Sequence, residues 1–253
     1  MNLQRDRSAW LHGPEKVCQV QPLHPAQCRR FVLLGAPGVG KGTQAALLSA
    51  AFGACHLATG DLFRRAQACD PATLSPGLRQ AVTAMQAGHL VSDETVLQLI
   101  LERAACLTCQ GGFILDGFPR TVAQAAALDV ILGQRNTPLE CAISYELDPD
   151  ALAARISGRR TCPVCHGVYH LLTRPPREPD LCDICRAPLT LRADDWPEAV
   201  RVRQQAYLAA THCLRDYYAD RDLLLPIDAS GTPEEVFGRT ITALTERAAA
   251  PDA

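Results

Sequence analysis

The sequence predicts an α/β protein: a five-stranded parallel sheet with helices on both faces. Three observations predict it. Short apolar runs of strand length alternate with longer helical patterns from Phe31 onward, the signature of a sheet buried on both sides. A glycine-rich turn from Gly35 to Thr43 stands between the first strand-like run and the first helical one. Residues 159–195, rich in Cys, Pro and Arg, break the alternation and read as an insertion with its own small fold.

Residues 1–29 carry Trp10, several prolines and no periodic apolar pattern, so a poorly ordered, dispensable extension is expected there. Asp6 and Glu15 do not suit an acid-poor presequence. The first strand is expected at Phe31–Leu34 and the first helix at about Thr43–Phe52. Further strands are expected at His56–Ala58, Gly112–Leu115, Cys141–Leu147 and Leu223–Ile227. The helical patterns cover Thr95–Ala105, Thr121–Leu132, Pro149–Gly158, Glu198–Tyr218 and Pro233–Ala248. Ser92-Asp93-Glu94, and Asp195 followed by Pro197, are helix-start signals.

Composition narrows the class. The chain has 253 residues, 47% hydrophobic and 21% charged, which is an ordinary globular profile with room for one core and inserts. A formal charge of −2 provides no basic field for nucleic acid or anionic membrane. No apolar run reaches the length of a membrane span and no signal-peptide core is present, which points to the cytoplasm. Twelve cysteines without a secretory signal read as metal binding rather than disulfides.

Lys16 and Lys41 are the only lysines; every other cation is arginine. Lys41 lies in Gly35-Ala36-Pro37-Gly38-Val39-Gly40-Lys41-Gly42-Thr43. There, backbone N–H groups can turn around phosphate oxygens, the helix N-terminus adds partial positive charge, and a compact ammonium can reach the outer phosphates. This is a P-loop pattern, except that Gly42 stands where the strict form has Ser or Thr. A second motif is Ala58-Thr59-Gly60-Asp61-Leu62-Phe63-Arg64, followed by Gly88-His89-Leu90-Val91. A third is Leu115-Asp116-Gly117-Phe118-Pro119-Arg120-Thr121, with Gln124 a turn onward.

With these three motifs in this order and spacing, the chain resembles the adenylate kinases from about Arg30 to its end. Gly-Lys-Gly-Thr-Gln is the P-loop variant of nucleoside monophosphate kinases. The resemblance implies a P-loop nucleoside triphosphate hydrolase-like core at 30–57, 92–157 and 196–253, an acceptor-binding arm at 58–91 and a lid at 158–195. It implies transfer of the terminal phosphoryl group from Mg-ATP to AMP, giving two ADP, in adenine nucleotide homeostasis and purine salvage. A monomer without nucleic-acid or membrane partners is expected.

Site residues follow from the same resemblance. Gly38, Val39, Gly40, Lys41, Gly42 and Thr43 would hold the ATP phosphates. Arg155, Arg159, Val168, Tyr169 and Gly231 would also lie on the ATP side. Thr59, Arg64, His89, Leu90, Val91, Gly117, Phe118, Pro119, Arg120 and Gln124 would surround AMP. Arg192 and Arg203 would act on the phosphates in transfer, and Asp194 with Asp195 would tether the lid. Asp116, at the end of an apolar strand, is a carboxylate suited to hold Mg²⁺ through water. Arg64 and Arg120 are phosphate forks by chemistry, and the Gln124 amide can both donate to and accept from a base edge. Phe63, Ala58 and Cys213 differ from the Leu or Met, Ser and Pro expected at their places.

Cys162-x-x-Cys165, sixteen residues, then Cys182-x-x-Cys185 supplies four thiolates in two close pairs, the spacing of a structural zinc site. It corresponds to the metal-bearing lid of one adenylate kinase subgroup. His166 and His170 are alternative ligands, but four cysteines already close a tetrahedron. Cys106 and Cys109 form a CxxC without a second pair and read as ordinary thiols. The competing activities are a kinase for another monophosphate or with GTP as donor, and a zinc-ribbon binding protein that has lost catalysis. Lys41, Asp116, Arg64 and Arg120 weigh against the last.

Overall fold

The computed structural model describes residues 28–87, 91–108, 111–165, 167–192 and 195–249. The predicted site residues His89, Leu90 and Asp194, the alternative ligand His166, Cys109 and most of the N-terminal segment lie outside them.

In chain order the sheet and its helices begin with β1 (Arg29–Leu34), α1 (Lys41–Phe52), β2 (Cys55–Ala58), α2 (Thr59–Ala66) and α3 (Pro76–Gln86). They continue with α4 (Asp93–Glu102), α5 (Ala104–Leu107), β3 (Gly112–Asp116), α6 (Val122–Gln134), β4 (Cys141–Glu146) and α7 (Pro149–Ser157). After the small hairpin strands β5 (Arg159–Thr161) and β6 (Val168–His170) come α8 (Pro197–Ala206), α9 (His212–Ala219), β7 (Leu224–Asp228) and α10 (Pro233–Ala249). The five-stranded parallel sheet has the order β2-β3-β1-β4-β7. All five expected strands are present. β1 is central, and the chain builds one side of it before crossing to the other, the switch point where open α/β sheets bind ligands.

Two compact units divide the chain. The first comprises residues up to Leu34, Gly42–Ser144 and Cys213–Leu225. Its core draws on β1, β2 and β3 through Val32, Leu34, Leu57, Phe113 and Leu115, and on the helices through Leu78, Leu99, Leu128, Leu214 and Tyr218. The second comprises Gly35–Lys41, Tyr145–His212 and Pro226–Ala253. Within it Leu152, Ile156, Ile227, Val236 and Leu244 are buried, and a separate small cluster joins Cys162, Tyr169, Cys182 and Leu189.

Several boundaries differ from the sequence expectation. The helix expected at Thr95–Ala105 starts earlier, because Ser92 caps it through Thr95 N–H, and it breaks at Arg103 into α4 and α5. The helix expected at Glu198–Tyr218 is interrupted by a π-helical stretch, Tyr207–Thr211. Helices α2 and α3 have no counterpart in the sequence reading. α3 nevertheless carries start signals, Ser75 as cap and Pro76 at the first helical position. Asp195 does not cap α8; Trp196 holds that position, and the Asp195 carboxylate is taken by Arg159.

Candidate active site

The turn after β1 is built from glycine for a steric reason. Gly38 has φ +91, and a β-carbon there would lie 2.3 Å from the Ile156 side chain of α7, so the loop backbone lies directly against that side chain. Lys41 folds back over this loop and donates from Nζ to the carbonyls of Gly35 (2.6 Å) and Ala36 (3.1 Å). Arg155, on α7, donates to the carbonyl of Val39 at 3.1 Å and to those of Ala229 and Gly231 at 2.8 Å each. One guanidinium therefore braces both the glycine loop and the loop after β7. Burial lowers the pKa of Arg155, with the Asp228 carboxylate opposing that shift.

In the other unit, Asp116 ends β3 beside β1, in register with Leu33. Its Oδ2 lies 3.4 Å from Nε2 of the buried His56. A β-carbon on Gly42 would stand 3.5 Å from the same Oδ2, so the position where the strict pattern has a hydroxyl faces this carboxylate. Thr59 Oγ1 donates to the Gly117 carbonyl at 3.0 Å. The same carbonyl accepts from Arg120 Nε at 2.8 Å, and the Arg120 backbone N–H donates to Gln124 Oε1 at 2.7 Å. Asp93 closes the network, accepting from Gln124 Nε2 at 2.7 Å and from the Thr121 hydroxyl at 3.0 Å. Arg64 is held by Asp61 three residues earlier. Phe118 is fully buried in the core, Pro119 is buried beside it, and Val91 packs against that core from its edge.

Sequence reasoning missed His56 and Asp93 as partners in this site. His56 gave no signal, because only the pairing of β2 with β3 sets it beside Asp116. Asp93 carries a sequence signal only as a helix-start residue.

In the inserted segment β5 and β6 form an antiparallel hairpin with Arg159 opposite His170 and Arg160 opposite Tyr169. Arg159, at its start, makes a two-point ion pair with the buried Asp195, with Nε 2.6 Å from Oδ2. Arg192 donates from Nε to Thr161 Oγ1 at 2.8 Å, and Arg203 is half-buried on α8. Val168 is exposed on β6, whereas the Tyr169 side chain is buried against the cysteines. Removing one partner of a buried pair leaves a desolvated charge, so Asp195→Ala is expected to destabilise the protein by about 2–3 kcal/mol, a value lowered from the fully buried case by the partial exposure of Arg159. Denaturant melts of the variant check this.

The four cysteines converge. Their sulfurs all lie within 4.8 Å of one another, with Cys162 to Cys185 at 3.3 Å and Cys165 to Cys182 at 3.4 Å. A tetrahedral S₄ site with ~2.3 Å metal–sulfur bonds has edges of about 3.8 Å, so the set can hold a metal ion with small adjustment. The two halves are built alike. Cys162 N–H donates to the carbonyl of Gly167 and Cys182 N–H to that of Ala187, each five residues on at 2.9 Å. Burial raises the pKa of the Cys182 thiol, but hydrogen bonds from the Tyr169 hydroxyl and from the backbone of Cys185 and Ile184 outweigh it and bring it down to about 6. Cys165 is pushed up to about 12, chiefly by burial.

A glycine loop carrying its lysine at the switch point of a parallel sheet defines a P-loop phosphotransferase core. The family model for adenylate kinase matches residues 33–223. An adenylate kinase of Anaeromyxobacter sp. (strain Fw109-5) is 43% identical over 211 residues, 83% of this chain and 96% of that protein. One of Acidothermus cellulolyticus is 43% identical over 215 residues, 85% of this chain and 97% of its own. One of Thermodesulfovibrio yellowstonii is 41% identical over 218 residues, 86% and 99% of the two chains. The chain belongs to the adenylate kinase family.

Proposed function

We propose that the chain catalyses reversible transfer of the terminal phosphoryl group of Mg-ATP to AMP, giving two ADP. The observation that carries the choice of acceptor is the hydrogen-bonded network of Thr59, Gly117, Arg120, Gln124 and Asp93, which draws three stretches of sequence together in one unit. The Gln124 oxygen and one of its N–H groups are engaged within it. The amide is thereby held in one orientation, and its second N–H is the group offered to a base edge.

In this reading the glycine-loop N–H groups from Gly38 to Thr43 and the Lys41 ammonium take the donor phosphates. Lys41 exchanges the Gly35 and Ala36 carbonyls for phosphate oxygens. Arg155 and Gly231 serve the donor side as a braced pair. Arg64 and Arg120 fork the acceptor phosphate, the backbone of Val91 lies toward the acceptor base and sugar, and the Gly117-Phe118-Pro119 segment carries Arg120 into the AMP site. Arg159, Arg192 and Arg203 supply charge to the phosphoryl group in flight, the first two after leaving Asp195 and Thr161. Asp116, beside His56, is the carboxylate to hold Mg²⁺ through water, where the ion would neutralise the phosphate oxygens. The acceptor phosphate is already anionic, so no side chain need act as nucleophile or general base; positioning, positive charge and exclusion of water suffice.

The metal of the four cysteines is read as zinc with a structural role, because four thiolates leave no open position. The acceptor arm is assigned to 58–91, the lid to 158–195 and the core to the remainder from residue 30. No described helix is long and apolar enough to cross a membrane, and a cytoplasmic monomer acting on the free nucleotide pool is the form proposed.

A coupled ADP-formation assay with AMP, CMP, UMP and GMP as acceptors, and ATP or GTP as donor, tests this reading. AMP with ATP is expected to give the highest kcat/KM. A higher value for another monophosphate would reassign the acceptor.

A further inference from the structure

We propose that Tyr169 is a positioning residue for the lid metal, its hydroxyl holding Cys182 Sγ and tying the four-cysteine site to strand β6. The inference rests on reading those cysteines as a zinc site. Tyr169 Oη accepts a hydrogen bond from the Asp183 backbone N–H at 2.9 Å and lies 3.4 Å from Cys182 Sγ. A phenol has a single proton. With Asp183 donating to the oxygen, that proton is directed to the sulfur. A metal-bound thiolate carries no proton, so it can only accept, and the sense of the bond is fixed once metal is present.

The side chain is 7% exposed, in a cluster with Cys162, Cys182 and Leu189. Phenylalanine would fill the same space, so packing alone does not explain a hydroxyl here. A buried hydroxyl costs free energy unless its proton finds an acceptor, and the sulfur is the acceptor in reach. Four thiolates around a divalent ion carry an excess of negative charge, and a donor to one sulfur disperses part of it.

The bond also has a mechanical consequence. Tyr169 stands opposite Arg160 in the β5–β6 hairpin, and the neighbouring pair is His170 with Arg159. The hydroxyl thus adds a tie from Cys182 to the hairpin on which Arg159 is mounted, beside the direct one through Cys162, the residue after β5. Any part Tyr169 has toward the donor nucleotide falls to its backbone, because its side chain is committed to sulfur.

The test is Tyr169→Phe in the full chain, which keeps the ring and removes the hydroxyl. Zinc affinity is measured by competition with a chromophoric chelator, and thermal melts are taken zinc-saturated and stripped. The variant is expected to bind zinc about 10–100-fold more weakly, the usual effect of losing a hydrogen-bond partner of a ligand. It should melt lower than the parent when loaded and with the parent when stripped. Unchanged zinc affinity, or an equal drop in both states, would show that the hydroxyl serves packing and overturn the proposal. A parent protein that binds no zinc would instead overturn the zinc reading on which it rests.

Discussion

Lys41→Met is expected to lower kcat by at least about 10²–10³-fold, the scale on which one preorganised charged donor to a transition state acts. The fold should be unaffected. Lys41 spends its charge on two carbonyls of its own loop, contacts that a phosphate would replace. The buried residues around the loop, Val39, Leu152 and Ile156, do not include it. The loop's shape is set independently, by Gly38 against Ile156 and by the Arg155 brace on Val39. Turnover and thermal melts measured together decide the matter. A variant with lost activity and an unchanged melt is the expected result. Near-parental turnover would mean that this loop does not hold the donor phosphates.

Removing the metal, or replacing Cys162 with alanine, is expected to cost stability far more than it costs catalysis in the cold. The buried cluster of the inserted segment is Cys162, Tyr169, Cys182 and Leu189, and two of these four belong to the converging cysteine set. Burying the other two side chains contributes about 1.5–3 kcal/mol each. Structural zinc, worth about 10–16 kcal/mol in small domains, exceeds that burial several-fold. A loss above about 4 kcal/mol would lower the melting temperature by roughly 10 °C or more in a chain of this size. The arginines assigned to phosphate are not ligands, so a loosened lid should still support turnover at low temperature. Melts and assays of native and stripped protein measure both. An unchanged melt contradicts the structural role, and lost cold activity with an intact fold would make the metal catalytic.

Much of the fold was legible in the sequence, because short buried strands and the periodic helices between them announce themselves by pattern. Helices α2 and α3 were not. α2 begins directly at the end of β2, with no cap residue to mark the change, and its first residues had been absorbed into a motif. The four cysteines were legible because ligand spacing is local along the chain. The partners of the motif residues were not, since these are fixed by pairings far apart in sequence. Asp116 meets His56 only through the β2–β3 register, and Arg155 meets Val39, Ala229 and Gly231 only once α7 is packed. Tyr169 shows the same limit. Its side chain faces a cysteine thirteen residues on that the sequence could not place beside it.

Adenylate kinase activity is decided by the stoichiometry of the reaction with purified protein, Mg²⁺, ATP and AMP, followed by nucleotide chromatography. Two ADP are expected for each ATP and AMP consumed, with no free phosphate released and the reverse reaction from ADP alone. ATP loss with phosphate release and AMP left untouched would contradict that activity.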